Sequence, residues 1–231
     1  MVSSAPEPTR PVPEPLAGFI AGELMNAIEQ GHYKPGTRLV EAEIAESFGV
    51  SRAPVREALR MLMQDDLVMR RPRRGTIVTD LSPRELSEMF EVRSALYAAI
   101  IRLFTRRATA EELDQYTVLR ERILEFAQDA STTPALFVDA TQAASAFVVA
   151  HCGNARMQAN FRKMTRQSYR VYAELAHSTA AHRQKLASFT GEILAAMRAG
   201  DAERASMVAW RLTEANHAAA LAAIEARAQP G

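Results

Sequence analysis

The sequence predicts a mainly α protein, in which a small N-terminal part with a β-hairpin is followed by a six-helix antiparallel bundle. Three observations support this fold class. The stretch Arg38–Thr79 has the pattern of two short helices joined by a tight turn and followed by two short strands. After residue 80, helix-start signals recur six times. No alternating pattern typical of strands occurs in that second half.

The N-terminal residues 1–14 are rich in proline and contain no apolar run. This composition is typical of a disordered tail and not of a signal peptide. From Leu16 to Ile28, apolar residues recur with a helical period, and Gly31 ends the predicted helix. Pro35-Gly36 then predicts a turn.

Two helices joined by a tight turn come next. The first is expected from about Glu41 to Phe48 and stops at Gly49. Ser51 is a good N-cap for a second helix from Arg52 to about Gln64. Pro54 falls in the first turn of that helix, where no intrahelical amide hydrogen bond is lost.

A hairpin with a basic tip follows these helices. Leu67–Arg70 and Thr76–Thr79 have the composition of strands, and they flank the segment Arg71–Gly75 with its three arginines. Arginines at such a tip suit contact with phosphates or a narrow minor groove better than they suit stability. Residues 15–80 therefore predict a winged helix-turn-helix domain with a small β-hairpin wing.

Residues 81–228 predict an all-helical domain, because each helix has a recognisable start. Ser82 with Glu85, and Thr109 with Glu112, have the spacing of capping boxes. The six expected helices run from Ser82 to about Arg107, Thr109 to about Gln128, the segment Ser131–Pro134 to near Cys152-Gly153, Asn154 through Tyr169 and Tyr172, Thr179 to Gly200, and Asp201 to about Ala226.

Charge and cysteine content narrow the function classes. Between Ser51 and Gly75, seven arginines stand against three acidic residues, and this local excess suits a polyanionic partner. Cys152 is the only cysteine, which excludes an intrachain disulfide and a cysteine-cluster zinc site. No apolar run reaches the roughly 20 residues that cross a bilayer, so a cytoplasmic protein is expected. We find no motif for a phosphate-binding loop or a placed nucleophile and base.

The helix Arg52–Gln64 has two distinct faces. Val55, Leu59 and Leu62 lie on one face, which must pack on the preceding helices, and arginines lie on another. Arginine is the side chain best suited to bidentate contact with guanine, and the N-terminal part of a recognition helix reaches base edges first. Arginines at this spacing also occur on ordinary solvent-facing helices. The neighbouring turn and basic hairpin favour DNA contact. The outward arginines are Arg52, Arg56 and Arg60.

The stretch GHYKPGTRLVEAEIAESFGVSRAPVREALRMLMQDDLV, with PRRGTIV after it, resembles the DNA-binding domain of GntR-type bacterial transcription regulators, FadR branch. The resemblance covers about residues 16–79, and residues 81–228 are similar to that branch's all-α effector-binding (FCD) domain. One departure is Asp66, where the family often has glycine, and we expect a left-handed residue there at a local cost. The predicted DNA-binding residues, from the resemblance and the basic positions, are Arg38, Ser51, Arg52, Ala53, Pro54, Arg56, Arg73, Arg74 and Gly75.

A second departure concerns a metal site. Many members of this branch bind a divalent metal through an aspartate, a histidine one turn later and two histidines on later helices. We count the expected ligand positions back from Gly153-Asn154 and Gly200-Asp201. Shifting this count by two residues would put the aspartate ligand at Asp139 but the first histidine ligand at Ala143. We therefore predict that this cofactor is absent. Without this shift, the positions of the aspartate and the three histidines are Thr141, Ser145, Thr190, and Leu212 or Thr213, and these residues are not a metal-ligand set.

The resemblance also implies a cavity for a small-molecule effector. Arg93 lies in an apolar helix, where its guanidinium would pair with an effector carboxylate. A buried salt bridge to another helix explains it nearly as well. The predicted effector-binding residues are Arg93, Tyr97, Arg162, Arg166 and Tyr169. His151, beside Cys152, fits a structural helix end better than a ligand pair. His177 and His182 are too loosely spaced to imply a site.

Three functions fit this sequence. The first is a homodimeric transcription regulator, expected to be a repressor, that binds an inverted repeat in double-stranded DNA and responds to a small organic acid. The second is a small-molecule-binding or enzymatic helical domain that the winged helix only tethers. The third is a helical domain that dimerises and senses nothing. The absence of acid/base pairs and of the metal ligands argues against the second.

Overall fold

The computed structural model describes residues 14–166 and 169–228, and it describes side chains for 16–165 and 172–226. Contacts divide the chain into two compact units, Met1–Asp80 and Leu81–Gly231. The helices and strands of the described ranges are, in order, α1 (Glu14–Glu29), α2 (Glu41–Ser47), α3 (Arg52–Gln64), β1 (Val68–Arg71), β2 (Gly75–Val78), α4 (Pro83–Arg107), α5 (Ala110–Gln128), α6 (Pro134–His151), α7 (Ala155–Arg166), α8 (Tyr169–Ala176), α9 (Ala180–Arg198) and α10 (Ala202–Ala228).

The first unit is a winged helix-turn-helix, as the sequence predicts. Its three helices and both strands share one hydrophobic core, to which Ile20, Leu59 and Val78 contribute from α1, α3 and β2. Gly49 has φ +64° between α2 and α3, a conformation that glycine adopts without steric cost. The turn therefore fixes how α3 crosses α2.

The wing is a two-stranded antiparallel hairpin whose strands lie one residue closer to the tip than predicted. Arg71 pairs with Gly75, so both belong to strands and the reversal is made by residues 72–74. Arg73 (φ +63°) and Gly75 (φ +75°) have left-handed backbones, which lets the chain turn within so few residues. The composition of the segment placed Arg71 and Gly75 in the hairpin tip, whereas the tight turn leaves both of them in the strands.

Asp66 has φ +54°, the left-handed conformation expected at the position where the family often has glycine. It lies between α3 and β1, and its carbonyl oxygen accepts a hydrogen bond from Thr79 Oγ1 at 2.6 Å. This bond joins the start of β1 to the end of β2, so the strained residue also closes the base of the wing.

A pair of substitutions at Asp66 isolates this backbone strain. Both Asp66→Ala and Asp66→Gly remove the carboxylate, but only glycine accepts the left-handed backbone without cost. We expect the alanine variant to be less stable than the glycine variant by about 1 kcal/mol, measured as the free energy of unfolding in urea. Equal stabilities would show that strain at residue 66 is not significant.

The second unit is a helical bundle in which α4 packs along α10. The larger part of its core joins residues of α4, α5, α6, α9 and α10 around Phe104, Tyr116 and Ile123. A smaller cluster, with Leu86 and Phe90, packs α4 against α8 and α10. The core of this unit therefore has two regions along the length of α4.

The predicted helix starts are confirmed at two capping boxes. The backbone nitrogen of Glu85 donates to Ser82 Oγ, and the Glu85 carboxylate accepts from the Ser82 backbone nitrogen. Thr109 and Glu112 make the same reciprocal pair at the start of α5. Side-chain oxygens thereby satisfy backbone donors that have no partner within the helix.

The fourth predicted helix, from Asn154 through Tyr172, is described as two helices, α7 and α8. Residues 167–168, between these two segments, lie outside the described residues, so the single helix stays a prediction there. Phe161 of α7 belongs to the larger core cluster, whereas Tyr172 of α8 belongs to the smaller one. The two segments therefore contact different parts of the core.

Candidate DNA interface and candidate ligand cavity

Helix α3 buries one face and exposes the opposite one. Val55, Leu59 and Leu62 are at most 2% exposed and belong to the core of the first unit. The arginines on the other side are all exposed, because three- and four-residue steps place them away from the core. This row consists of Arg52, Arg56 and Arg60.

Two arginines of this row form ion pairs. Arg56 Nε lies 2.7 Å from Glu41 Oε2, at the start of α2, and the two side chains remain 65% and 38% exposed. Arg60 pairs with Glu57 at 2.8 Å within α3. The Arg52 side chain makes no ion pair with any residue that the structure describes. Glu41 therefore holds Arg56 at the junction of the two helices, and the part of Arg52 in DNA binding stays a prediction.

The N-terminal end of α3 differs from the prediction at one residue. Ser51 is the N-cap, and its hydroxyl makes no capping hydrogen bond, so it is available to a partner. Ser51 and Ala53 are exposed, as base-contacting positions must be. Pro54 is buried within the first turn and cannot present its side chain to DNA. Its fixed φ favours the start of the helix instead.

The wing presents further arginines. Arg73 and Arg74 are exposed in the turn between the strands. Arg38 forms an isolated antiparallel bridge with Ile77, which places it beside β2. A Cβ added at Gly75 would lie 3.9 Å from Arg38 Nε, so the Arg38 side chain runs next to the wing tip. Arg38 and the two tip arginines form a second cationic surface on the first unit.

The second unit contains a small cavity of about 50 Å³ that is partly open to solvent. Arg93 and Tyr97 line it, and their part in effector binding stays a prediction. Arg93 is the only charged residue among the described lining residues. The other lining residues are Tyr116, Ile123, Thr141, Gln142, Ala144, Ser145, Leu186, Thr190, Leu212, Thr213 and Asn216.

Arg93 is 5% exposed, and α7 holds its guanidinium in place. Its Nη1 donates to Thr165 Oγ1 at 3.1 Å, and its Cζ lies 4.5 Å from the centroid of the Phe161 ring. A cation over an aromatic face is stabilised by the ring quadrupole. The sequence prediction missed Thr165, which lies one helical turn after Phe161.

Arg162 does not reach this cavity. It follows Phe161 in α7 and is therefore rotated about 100° away from the buried face, with its side chain exposed. The side chains of the other two predicted pocket residues, Arg166 and Tyr169, lie outside the described residues.

The positions counted for the family's metal ligands come together in this one cavity. Thr141 and Ser145 of α6, Thr190 of α9, and Leu212 and Thr213 of α10 all line it. Divalent metals in proteins are bound by carboxylates, imidazoles or thiolates, and none of these groups stands at the five positions. Among the residues that the structure describes, no three His, Cys, Asp or Glu side chains are grouped to hold a metal. The side chains at these five positions are therefore unsuited to binding a divalent metal.

Hydrogen bonds show what the hydroxyl groups do instead. Thr141 Oγ1 donates to the Val138 carbonyl at 2.9 Å, and Thr190 Oγ1 donates to the Ala187 carbonyl at 2.8 Å. Ser145 and Thr213 donate to carbonyls of their own helices in the same way. Each hydroxyl proton is therefore used inside a helix, and the oxygen keeps lone pairs that can accept a hydrogen bond.

Two histidines that are separated in the sequence stack beside the cavity. The ring centroids of His177 and His182 are 5.3 Å apart. His182 Nε2 lies 3.0 Å from Oδ1 of Asn216, which lines the cavity. Burial, with the nearby His182 and Arg183, lowers the pKa of His177 to about 3, and burial also lowers the pKa of His182. Both rings are neutral near pH 7. Spacing along the chain gave no sign of this pair.

The remaining candidate ligands lie elsewhere. Asp139 lines a separate groove that α5 and α6 form, and His217 stacks on Phe90 with its Nε2 2.9 Å from Ser87 Oγ. His151 Nδ1 lies 2.8 Å from the carbonyl oxygen of Phe147, which agrees with a structural helix end. Among the described residues, no helix combines the length and apolar content needed to span a bilayer.

Comparison with known proteins identifies both units. Residues 16–78 match the family described as "Bacterial regulatory proteins, gntR family", and residues 88–215 match the FCD domain. The chain is 35% identical over 113 residues to the uncharacterized HTH-type transcriptional regulator YdhC of Bacillus subtilis, covering 49% of each chain. It is 33% identical over 95 residues to the HTH-type transcriptional repressor RspR of Escherichia coli, covering 41% of this chain and 40% of RspR. These matches span half or less of the relatives' length.

Solved structures share the fold at low sequence identity. E. coli McbR/YncC has a TM-score of 0.72 at 19% identity, covering 92% of this chain and 98% of that one. A putative transcriptional regulator GntR from Rhodococcus sp. RHA1 has a TM-score of 0.67 at 23% identity, with coverage of 89% and 97%. The chain therefore belongs to the GntR family of bacterial regulatory proteins and joins that family's winged helix-turn-helix to an FCD domain.

Proposed function

We propose that this protein is a sequence-specific DNA-binding transcription regulator, a repressor that a small organic acid releases from its operator. The observation that carries the proposal is the row of exposed arginines on α3, together with the exposed arginines of the wing in the same unit. A recognition helix with such a row suits the major groove, and a basic wing suits the phosphates beside it. Names of relatives support repression, since RspR and the gluconate operon regulator of Bacillus licheniformis are called repressors.

In this proposal, residues 15–80 bind DNA and residues 81–228 bind the effector and dimerise in the bacterial cytoplasm. A homodimer would read an inverted repeat, with the half-site spacing set by its twofold symmetry. The cavity around Arg93 would take the effector carboxylate without a metal cofactor. Effector binding would then change DNA affinity through a coupling of roughly 1–3 kcal/mol, or about 5–150-fold.

An electrophoretic shift on the DNA upstream of the protein's own gene tests this function. We expect a retarded complex at nanomolar protein that competitor DNA of unrelated sequence does not remove. A panel of organic acids should include one that weakens the complex within the expected range. No sequence-preferring complex on this or any neighbouring promoter would contradict the proposal.

A catalytic role of the second unit makes a different prediction. An enzyme would convert an organic acid in excess over protein, whereas a regulator binds it stoichiometrically and returns it unchanged. The relatives are transcription regulators, which supports the regulatory role. A domain that only dimerises would show no thermal stabilisation by any acid of the panel.

A further inference from the structure

The peptide segment that connects the two units is bound to the first unit up to residue 79. The boundary between the units falls between Asp80 and Leu81. The backbone nitrogen of Thr79 donates to the carbonyl oxygen of Leu67 at 3.0 Å. Its Oγ1 donates to the carbonyl oxygen of Asp66 at 2.6 Å. Two hydrogen bonds from one residue therefore fix the chain directly before Asp80.

Tyr172 of α8 binds the other side of the connection. Its hydroxyl oxygen accepts from the backbone nitrogen of Leu81 at 2.9 Å, and the hydroxyl donates to the Leu81 carbonyl oxygen at 3.4 Å. The Tyr172 side chain is 4% exposed and packs in the smaller core cluster with Leu86 and Phe90. Because the ring is held by the core, the hydroxyl gives the Leu81 backbone a fixed position in the second unit.

Asp80 alone stands between these two anchored residues. It is exposed, and α4 begins directly after the connection, with Ser82 as its N-cap. Each residue contributes two soft backbone torsions, so the connection has the freedom of a single residue. The Leu81 side chain packs on the smaller core cluster but is only partly buried. Loss of the Tyr172 hydroxyl would therefore release Leu81 as a second free residue.

This freedom affects how tightly a dimer binds an inverted repeat. A dimer that reads two half-sites has to hold both DNA-binding units at one separation. Fixing the backbone of a free residue costs conformational entropy, and a complex loses that free energy on binding. A connection that is already fixed in the unbound protein avoids this loss.

We propose that Tyr172 is a positioning residue for operator binding, which acts through its hydroxyl on the backbone of Leu81. The inference rests on the proposed function, because it concerns operator binding by residues 15–80. Tyr172 belongs to the second unit, so its effect on DNA affinity comes through the connection. A hydroxyl that only stabilised the helical bundle would have no such effect.

The substitution Tyr172→Phe tests the anchor in the free full-length protein. It keeps the buried ring and removes only the hydroxyl. We expect hydrogen exchange at the Leu81 amide, followed by NMR, to become about fivefold faster or more, because this amide loses its acceptor. Unchanged exchange at Leu81 would overturn the proposal, whatever the variant does with DNA.

An electrophoretic shift with the same variant tests the effect on operator binding. We expect its affinity for the DNA upstream of the protein's own gene to fall about fivefold or more below that of the wild type. Wild-type affinity in a variant with faster Leu81 exchange would refute the role of Tyr172 alone. A wild-type chain that binds no DNA specifically would instead refute the proposed function.

Thr105→Val is the matched control for general stability. Thr105 is 8% exposed, and its Oγ1 donates to the Ile101 carbonyl at 2.8 Å within α4. The nearly isosteric valine removes one buried hydroxyl from the same unit, far along α4 from the connection. We expect wild-type Leu81 exchange and wild-type operator affinity. An equal loss of operator affinity in Thr105→Val and Tyr172→Phe would overturn the proposal.

One glycine inserted between Asp80 and Leu81 tests the freedom of the connection directly. The insertion adds a free residue and leaves the hydrogen bonds of Thr79 and Tyr172 in place. We expect operator affinity to fall about as far as in Tyr172→Phe, while Leu81 exchange stays at the wild-type rate. Wild-type operator affinity in this variant would show that the freedom of the connection has no effect, which would overturn the proposal.

Discussion

We expect Arg52→Ala and Arg56→Ala each to weaken specific DNA binding while the protein stays folded. A bidentate arginine contact to a base is worth about 1–3 kcal/mol, so each loss lowers affinity about 5–150-fold. Both side chains are exposed and contribute nothing to the core of the first unit. Footprinting on the operator, with thermal unfolding as the folding check, measures both parts of this expectation.

Arg84→Ala is the matched control for these variants. Arg84 is an exposed arginine of α4 that pairs with Glu88, and its side chain is 88% exposed. It has the same charge and lies in the other unit, so its loss should leave the footprint unchanged. Wild-type footprints from both α3 variants would refute the assignment of α3 as the recognition helix.

We expect Phe104→Ala to destabilise the second unit by about 3–5 kcal/mol, the usual cost of deleting a buried phenylalanine ring. Phe104 is fully buried, and its ring packs against Tyr116 of α5 and Phe147 of α6. A cavity at this point would loosen three helices at once. For a unit of this size the loss corresponds to a fall in Tm of about 6–20 °C.

Val92→Ala provides the control on the same helix. Val92 is 58% exposed, so removing its methyl groups takes little apolar surface out of the folded core. Thermal unfolding of the two variants, followed by far-ultraviolet circular dichroism, compares them directly. A Tm change in Phe104→Ala no larger than that in Val92→Ala would contradict the assigned core.

Local signals in the sequence predicted much of the fold. Ser82 and Thr109 start helices because each side chain bonds a backbone donor three residues away, and such a pattern is visible in the sequence. The left-handed backbone of Asp66 was expected from the family resemblance, because the family often has glycine there and aspartate tolerates this conformation. These features depend on residues that are close in the sequence, so they can be predicted from the sequence alone.

Features that depend on distant contacts were not predictable in this way. The burial of Pro54 follows from packing within the first unit. The stack of His177 on His182 and the contact to Asn216 join three parts of the chain through tertiary structure. Counting from Gly153-Asn154 and Gly200-Asp201 identified residues that line the cavity. Only the three-dimensional structure shows that these residues lie around the same cavity.

The ion pair between Glu41 and Arg56 has a consequence for the proposed complex. Glu41 accepts from Nε of Arg56, so both Nη groups of the guanidinium would stay available to the two acceptors of a guanine. The carboxylate would also restrain the Arg56 side chain before DNA binds, so less conformational freedom would be lost on binding. The proposed recognition arginine would therefore already be oriented in the unbound protein.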